Sequence, residues 1–212
     1  MKKTDKALLK DVRGLAKGPG FGLPGGMGAE RLIDYCYTNY GVVISMEEAE
    51  AACRVWREIY PEAQPYLDHI KDEVLSSRAY GAKGTLVQFV SERVRGGVGY
   101  CDGANGLFQA LAADAAKAAG YSLAREAYCA ISSPFYGSRC LGFCHDEWLY
   151  AVRRERLHEA AHRMRDVQVA AAQRYCPDVA ITASPAAMYR WSKVAGDPCY
   201  RNGELIPYEE SI

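Results

Sequence analysis

Residues 139–152 read RCLGFCHDEWLYAV, a polar triplet of His145, Asp146 and Glu147 set between two short apolar runs. Leu141, Phe143, Trp148, Leu149 and Val152 are strand formers, so the spacing predicts a β-hairpin with the triplet at or near its turn. Two adjacent carboxylates held at a hairpin tip suit a divalent cation, because Mg²⁺ prefers oxygen ligands and usually takes one or two of them from protein. An ordinary solvated turn has the same composition. What surrounds the hairpin therefore decides its reading.

The whole chain has 212 residues, of which 49% are hydrophobic, enough for one large domain or two small ones with a buried core. Its 26 basic and 26 acidic side chains cancel, so any polyanionic partner has to be met by local clusters rather than by a global field. The Lys-rich amino terminus lacks a following apolar segment, and no run approaches the roughly 20 apolar residues of a membrane span. A cytoplasmic protein with no membrane partner is expected. Eight cysteines, Cys36, Cys53, Cys101, Cys129, Cys140, Cys144, Cys176 and Cys199, are scattered without a CxxC pair, which favours reduced thiols over a disulfide framework. Cys140 and Cys144 beside His145 lack the second cluster of a tetrahedral zinc site and read as buried small hydrophobes.

Upstream, residues 6–17 (KALLKDVRGLAK) predict a two-faced helix, with Leu8, Leu9, Val12, Leu15 and Ala16 opposite Lys6, Lys10, Arg13 and Lys17. Arg13, Lys17 and Phe21 are four apart, so a continuing helix projects two cations and an aromatic ring from one side. Such a face could hold a triphosphate while the ring lies on a base or sugar. The next stretch, GPGFGLPGGMG (18–28), would break an isolated helix and needs tertiary contacts or a ligand to stay helical; otherwise it is a flexible loop. It lacks the GK[ST] of a phosphate loop.

AERLIDYCYTNYG predicts a helix ending near Gly41. Ser45 and Glu48 form a capping box for MEEAEAACRVWREIY, with Ala49, Ala52, Cys53, Trp56 and Ile59 inward and Pro61 as the stop. Helix is expected to continue over 62–80, followed by short strands and turns to Gly103, where Arg93 and Arg95 could touch phosphate. ANGLFQALAADAAKAAG (104–120) is strongly helical, with Leu107, Phe108, Leu111 and Ala115 as its core stripe. On another face Asn105 and Gln109, four apart, could donate amide protons to minor-groove acceptors, although such a pair on a helix surface is usually only hydrated. A long helix follows the hairpin and contains HEAAH, His158 to His162, which matches the zinc-protease helix motif. No further histidine follows to serve as a third ligand, and an Ala-, Arg- and Glu-rich helix produces this match readily by chance.

Taken in order, RGLAKGPGFGLPGGMG, GANGLFQALAADAAK, FCHDEWLYAV and PDVAITASPAAMYRW resemble the carboxyl-terminal fingers and palm of family-A, polymerase I-like DNA polymerases. The resemblance runs from about Arg13 to the end of the chain. The LPGG variant and the FQALAADAAK block look most like the bacteriophage branch.

This resemblance implies an α+β, mostly helical fold, with fingers helices and part of an antiparallel palm sheet. It divides the chain into a fingers-like part, residues 1–80, and a palm part, residues 81–212, that carries the hairpin at 139–152. Arg13, Lys17 and Phe21 match the fingers-helix face that grips the incoming deoxynucleoside triphosphate. Asn105 and Gln109 match amides that meet the minor groove of the primer-template DNA. Asp146 matches the second of two carboxylates holding a pair of Mg²⁺ ions, Glu147 its acidic neighbour, and His145 a residue at the primer terminus. The implied reaction is in-line attack of a primer 3′-hydroxyl on the α-phosphate, with two metals about 4 Å apart.

The sequence also departs from the family. No strand carrying the first catalytic carboxylate precedes Arg13, Gly25 stands where many members have a tyrosine, Cys101 where many have an arginine, and Pro24 is unusual in a fingers helix. The chain is thus expected to be inactive alone, and one reading has a separate chain supply the missing palm strand and thumb. The alternatives are a non-catalytic nucleic-acid-binding protein and a zinc hydrolase using HEAAH.

Overall fold

The computed structural model describes residues 13, 16–75, 81–192 and 198–208. It forms two compact units, residues 1–110 and 111–212, with the division falling inside a long helix. The described chain is mostly helical with three small two-stranded antiparallel sheets, an α+β fold.

In the first unit, helix α1 covers residues 16–22, Arg13 also being helical, and ends in a turn over 23–26. The helix passes through Gly18-Pro19-Gly20 because Gly18 is pressed on a neighbour: a Cβ there would stand 2.3 Å from the Cys36 sulfur. Tertiary packing thus overrides the weak helix propensity of the glycines. Residues 1–12 of the predicted basic helix lie outside the described residues.

Helix α2 (Ala29–Tyr40) buries Leu32 and Cys36, one turn apart, and ends on Gly41, whose left-handed backbone donates to the Cys36 and Tyr37 carbonyls. Helix α3 (Met46–Ile59) opens on the predicted capping box: the Ser45 hydroxyl accepts from the Glu48 amide at 3.2 Å, and Glu48 Oε2 accepts from the Ser45 amide at 2.8 Å. Ala49 and Cys53 close a core with Leu23, Leu32 and Cys36, against which Ala52 and Trp56 pack. Ile59, expected inward, is 61% exposed, since the helix ends there and leaves it past the core.

Helix α4 (Ala63–His69) passes into a π-helical turn, Ile70–Val74, so helix over the start of 62–80 is present; residues 76–80 lie outside the described residues. Strands β1 (Gly84–Val87) and β2 (Val94–Val98) pair as the predicted strand-and-turn segment. Buried Gln88 fixes this hairpin by donating to the Leu107 carbonyl at 2.8 Å. That carbonyl belongs to helix α5 (Tyr100–Tyr128), which packs Ala104 on Leu67 and Ile70. Phe108, predicted in the core stripe, is 37% exposed; the buried face here is made by the small residues Gly103, Ala104 and Gly106.

In the second unit, strands β3 (Arg139–Cys144) and β4 (Glu147–Ala151) form the hairpin predicted at 139–152, with Val152 just beyond it. A register shift between Cys140 and Gly142 leaves Leu141 70% exposed. Cys140 is exposed and Cys144 half-buried, which corrects their assignment as buried hydrophobes; all eight cysteines are free thiols, as expected. Helix α6 (Leu157–Gln173) sets Ala160 into a core with Leu123, Ala127 and Phe135, and Trp148 and Tyr150 of the hairpin pack on it. Gly120 makes room for Trp148, whose ring would lie 2.3 Å from a Cβ at that position. A hairpin not foreseen from sequence, β5 (Cys199–Arg201) with β6 (Glu204–Ile206), buries Leu205 against Ala161 and Ala187.

Candidate functional site

The β3–β4 turn contains two central residues, His145 and Asp146, flanked by the pair Cys144 and Glu147. His145 has φ +56°, in the range that favours glycine, and Asp146 does not share the positive sign. Histidine tolerates this region better than bulky or β-branched residues do. The Phe143 and Trp148 rings, 4.4 Å apart between centroids, lock the strands directly behind the turn. All three members of the triplet are exposed, so its carboxylates face solvent on a stiff support.

Asp146 and Glu147 line a cavity of about 460 Å³ that is closed on other sides by Met164, Arg165, Ser184 and Trp191. Glu147 accepts a hydrogen bond from the Trp191 indole, Nε1 to Oε2, at 3.3 Å. Arg165 is engaged by the adjacent Asp166, 2.8 Å from Nε to Oδ1. Among the described residues no group of three or more His, Cys, Asp or Glu side chains is placed to hold a metal. Mg²⁺ keeps most of its water and takes one or two carboxylates from protein, whereas a two-ion pair needs carboxylates beyond the two of this turn.

In the first unit, Arg13, Lys17 and Phe21 are all exposed, Phe21 by 58%. The opposite face of α1 is buried: Gly18 lies on Cys36, and Gly22 lies on Met27, Leu32 and Tyr35. The described part of the helix therefore presents the two cations and the ring outward. Asn105 is half-buried and Gln109 exposed, both on α5. Asn105 also meets the turn that ends α1. A Cβ on Gly25 would stand 2.7 Å from its Nδ2 and 3.0 Å from its Oδ1. Sequence reading took Gly25 and Asn105 as separate features, whereas they are one contact: a side chain at 25 displaces the amide. The Cys101 sulfur accepts from the Arg31 guanidinium at 3.8 Å. Pro24 falls in the turn, beyond the last helical residue of α1. Arg93 and Arg95 are engaged within the unit, Arg93 with the Ala110 carbonyl at 3.4 Å and Arg95 with Asp102 at 4.0 Å.

The HEAAH histidines do a structural job. His158 Nδ1 accepts the Leu205 amide at 2.9 Å, the rings of His158 and His162 lie 4.4 Å apart, and His162 Nε2 is 3.5 Å from the Tyr200 hydroxyl. Burial, with His158 beside it, holds the His162 imidazole below its usual pKa and hence uncharged near neutrality. Together they hold the β5–β6 hairpin on α6.

Sequence reasoning found the turn but gave Trp191, Met164, Arg165 and Ser184 no role. Trp191 lies within the PDVAITASPAAMYRW block, so its segment was visible, but its reach back to Glu147 depends on how that segment crosses the hairpin.

No protein-family model matches the chain. It is similar to DNA polymerase I of Helicobacter pylori (strain ATCC 700392 / 26695), 31% identical over 124 residues, which is 54% of this chain and 13% of that protein. The chain thus aligns with a small part of the relative's length. No helix among the described residues is long and apolar enough to cross a membrane.

Proposed function

We propose that this chain is part of a template-directed DNA polymerase of the polymerase I-like family, of the bacteriophage type, acting in nucleotide transfer from a deoxynucleoside triphosphate to a primer 3′-hydroxyl. The observation that carries this reading is the 124-residue similarity to a DNA polymerase I. The hairpin supports it, with adjacent carboxylates at the tip of a stiff turn, at the edge of a cavity.

In this reading Asp146 is the Mg²⁺ ligand of the turn, Glu147 its acidic neighbour, and His145 the residue that meets the primer terminus. Arg13 and Lys17 neutralise the triphosphate, and Phe21 lies against the base or sugar. Asn105 and Gln109 donate to minor-groove acceptors of the primer–template duplex. Bound Mg²⁺ supplies Lewis-acid stabilisation of charge developing on the phosphoryl oxygens. The turn offers carboxylates for one ion, so a second chain or segment completes the pair, and this chain alone does not extend a primer.

A second reading, a nucleic-acid-binding protein without catalysis, is favoured by that shortage of carboxylates among the described residues. Both readings require DNA binding, which is the first test. Fluorescence anisotropy with a labelled primer–template should show affinity falling at least about tenfold between 50 and 200 mM salt, as phosphate contacts release counterions. Asn105→Ala and Gln109→Ala should each weaken binding about fivefold, the size of a lost hydrogen bond. Binding that ignores both salt and these substitutions contradicts both readings.

A further inference from the structure

We propose that Trp191 is a positioning residue for the carboxylate turn, its indole N–H holding Glu147 in the orientation in which the Asp146–Glu147 pair receives a divalent cation. This rests on the reading of Asp146 as a metal ligand. Its own support is geometric.

Trp191 lies 44 residues from Glu147 in sequence, yet donates from Nε1 to Glu147 Oε2 at 3.3 Å. Indole N–H can only donate, so Glu147 Oε2 is the acceptor and one of the two carboxylate oxygens is occupied. Glu147 opens strand β4, where its backbone is fixed by pairing with Cys144, leaving side-chain rotation as the freedom the indole removes. The segment carrying Trp191 is itself anchored: Met188 bridges Tyr208, the Tyr208 amide donates to the Ala187 carbonyl at 2.8 Å, and the Ser192 amide donates to the Met188 sulfur at 3.3 Å. Trp191 and Glu147 both line the cavity beside Asp146. An anchored donor behind a carboxylate is the arrangement by which outer partners orient metal ligands.

The chain has three tryptophans, Trp56, Trp148 and Trp191, so the emission of the full chain minus that of Trp191→Phe isolates Trp191. Phenylalanine leaves a smaller aromatic ring and removes the N–H, and Trp191 is 48% exposed, so folding should survive, as far-UV circular dichroism will check. At fixed neutral pH the difference emission should shift in Glu147→Ala, which removes the acceptor of the indole N–H. An emission that Glu147→Ala leaves unchanged overturns the proposal.

In parallel, Mn²⁺ binding is followed by electron paramagnetic resonance on the same proteins. Trp191→Phe should bind Mn²⁺ about tenfold more weakly and Asp146→Asn not measurably. Unchanged Mn²⁺ affinity in Trp191→Phe, with binding lost in Asp146→Asn, overturns the positioning role and leaves Asp146 as ligand. Absence of Mn²⁺ binding by the unaltered chain overturns the ligand reading and the positioning role that rests on it, even with the emission shift intact.

Discussion

At the scale of single residues, the turn puts its backbone strain and its negative charge on different side chains. His145 takes the positive φ, while Asp146 and Glu147 carry the charge. For a residue with a Cβ, a left-handed backbone costs roughly 1–2 kcal/mol, so His145→Gly should raise thermal stability by about 1 kcal/mol. Differential scanning calorimetry checks this, and a loss of stability would show that the imidazole makes contacts worth more than the strain. The HDE triplet was legible in sequence because its residue types are unusual between strand formers. The Gly25–Asn105 contact was not, because it joins residues 80 positions apart and depends on where the α1 turn meets α5.

At the scale of elements, local signals were read reliably where a local rule governs them. The capping box at Ser45 and Glu48, the left-handed Gly41 and the alternation flanking the β3–β4 turn all act within a few residues. Burial was misread where the partner element decides it. Phe108 looked like core by its spacing, but the small residues of α5 let its neighbours approach and leave the ring at the rim.

Between α5 and α6, Glu126 accepts from Arg163, whose Nε lies 3.2 Å from Oε2. The Arg163 hydrogen bond holds the Glu126 carboxyl below its usual pKa. A depressed folded pKa stabilises the fold fully above the unfolded value, near pH 4.5, and the contribution disappears as pH falls through the lower folded value. The melting temperature of the protein should therefore decline in acid below about pH 4.5, and Glu126→Gln should flatten that decline while lowering stability at pH 7 by on the order of 0.5–1 kcal/mol. An unchanged acid limb in the variant would show that the pair contributes nothing.

At the scale of the whole molecule, a chain with equal numbers of acidic and basic groups has no global field to draw DNA, so the proposed binding rests on the exposed cations and amides of particular faces. The α+β class was legible because helical and alternating patterns are separated along the chain. The small β5–β6 hairpin was not, since its three-residue strands are too short for a pattern and are held by His158 and Leu205 across the fold.

The polymerase reading is tested most directly by the nucleotide dependence of primer–template binding. With Mg²⁺ present, the triphosphate complementary to the next template base should tighten binding of the chain at least about tenfold over a non-complementary one, a difference of about 1.4 kcal/mol. Lys17→Ala should remove that gain. Equal binding with all four triphosphates, or a gain that survives Lys17→Ala, would contradict the account.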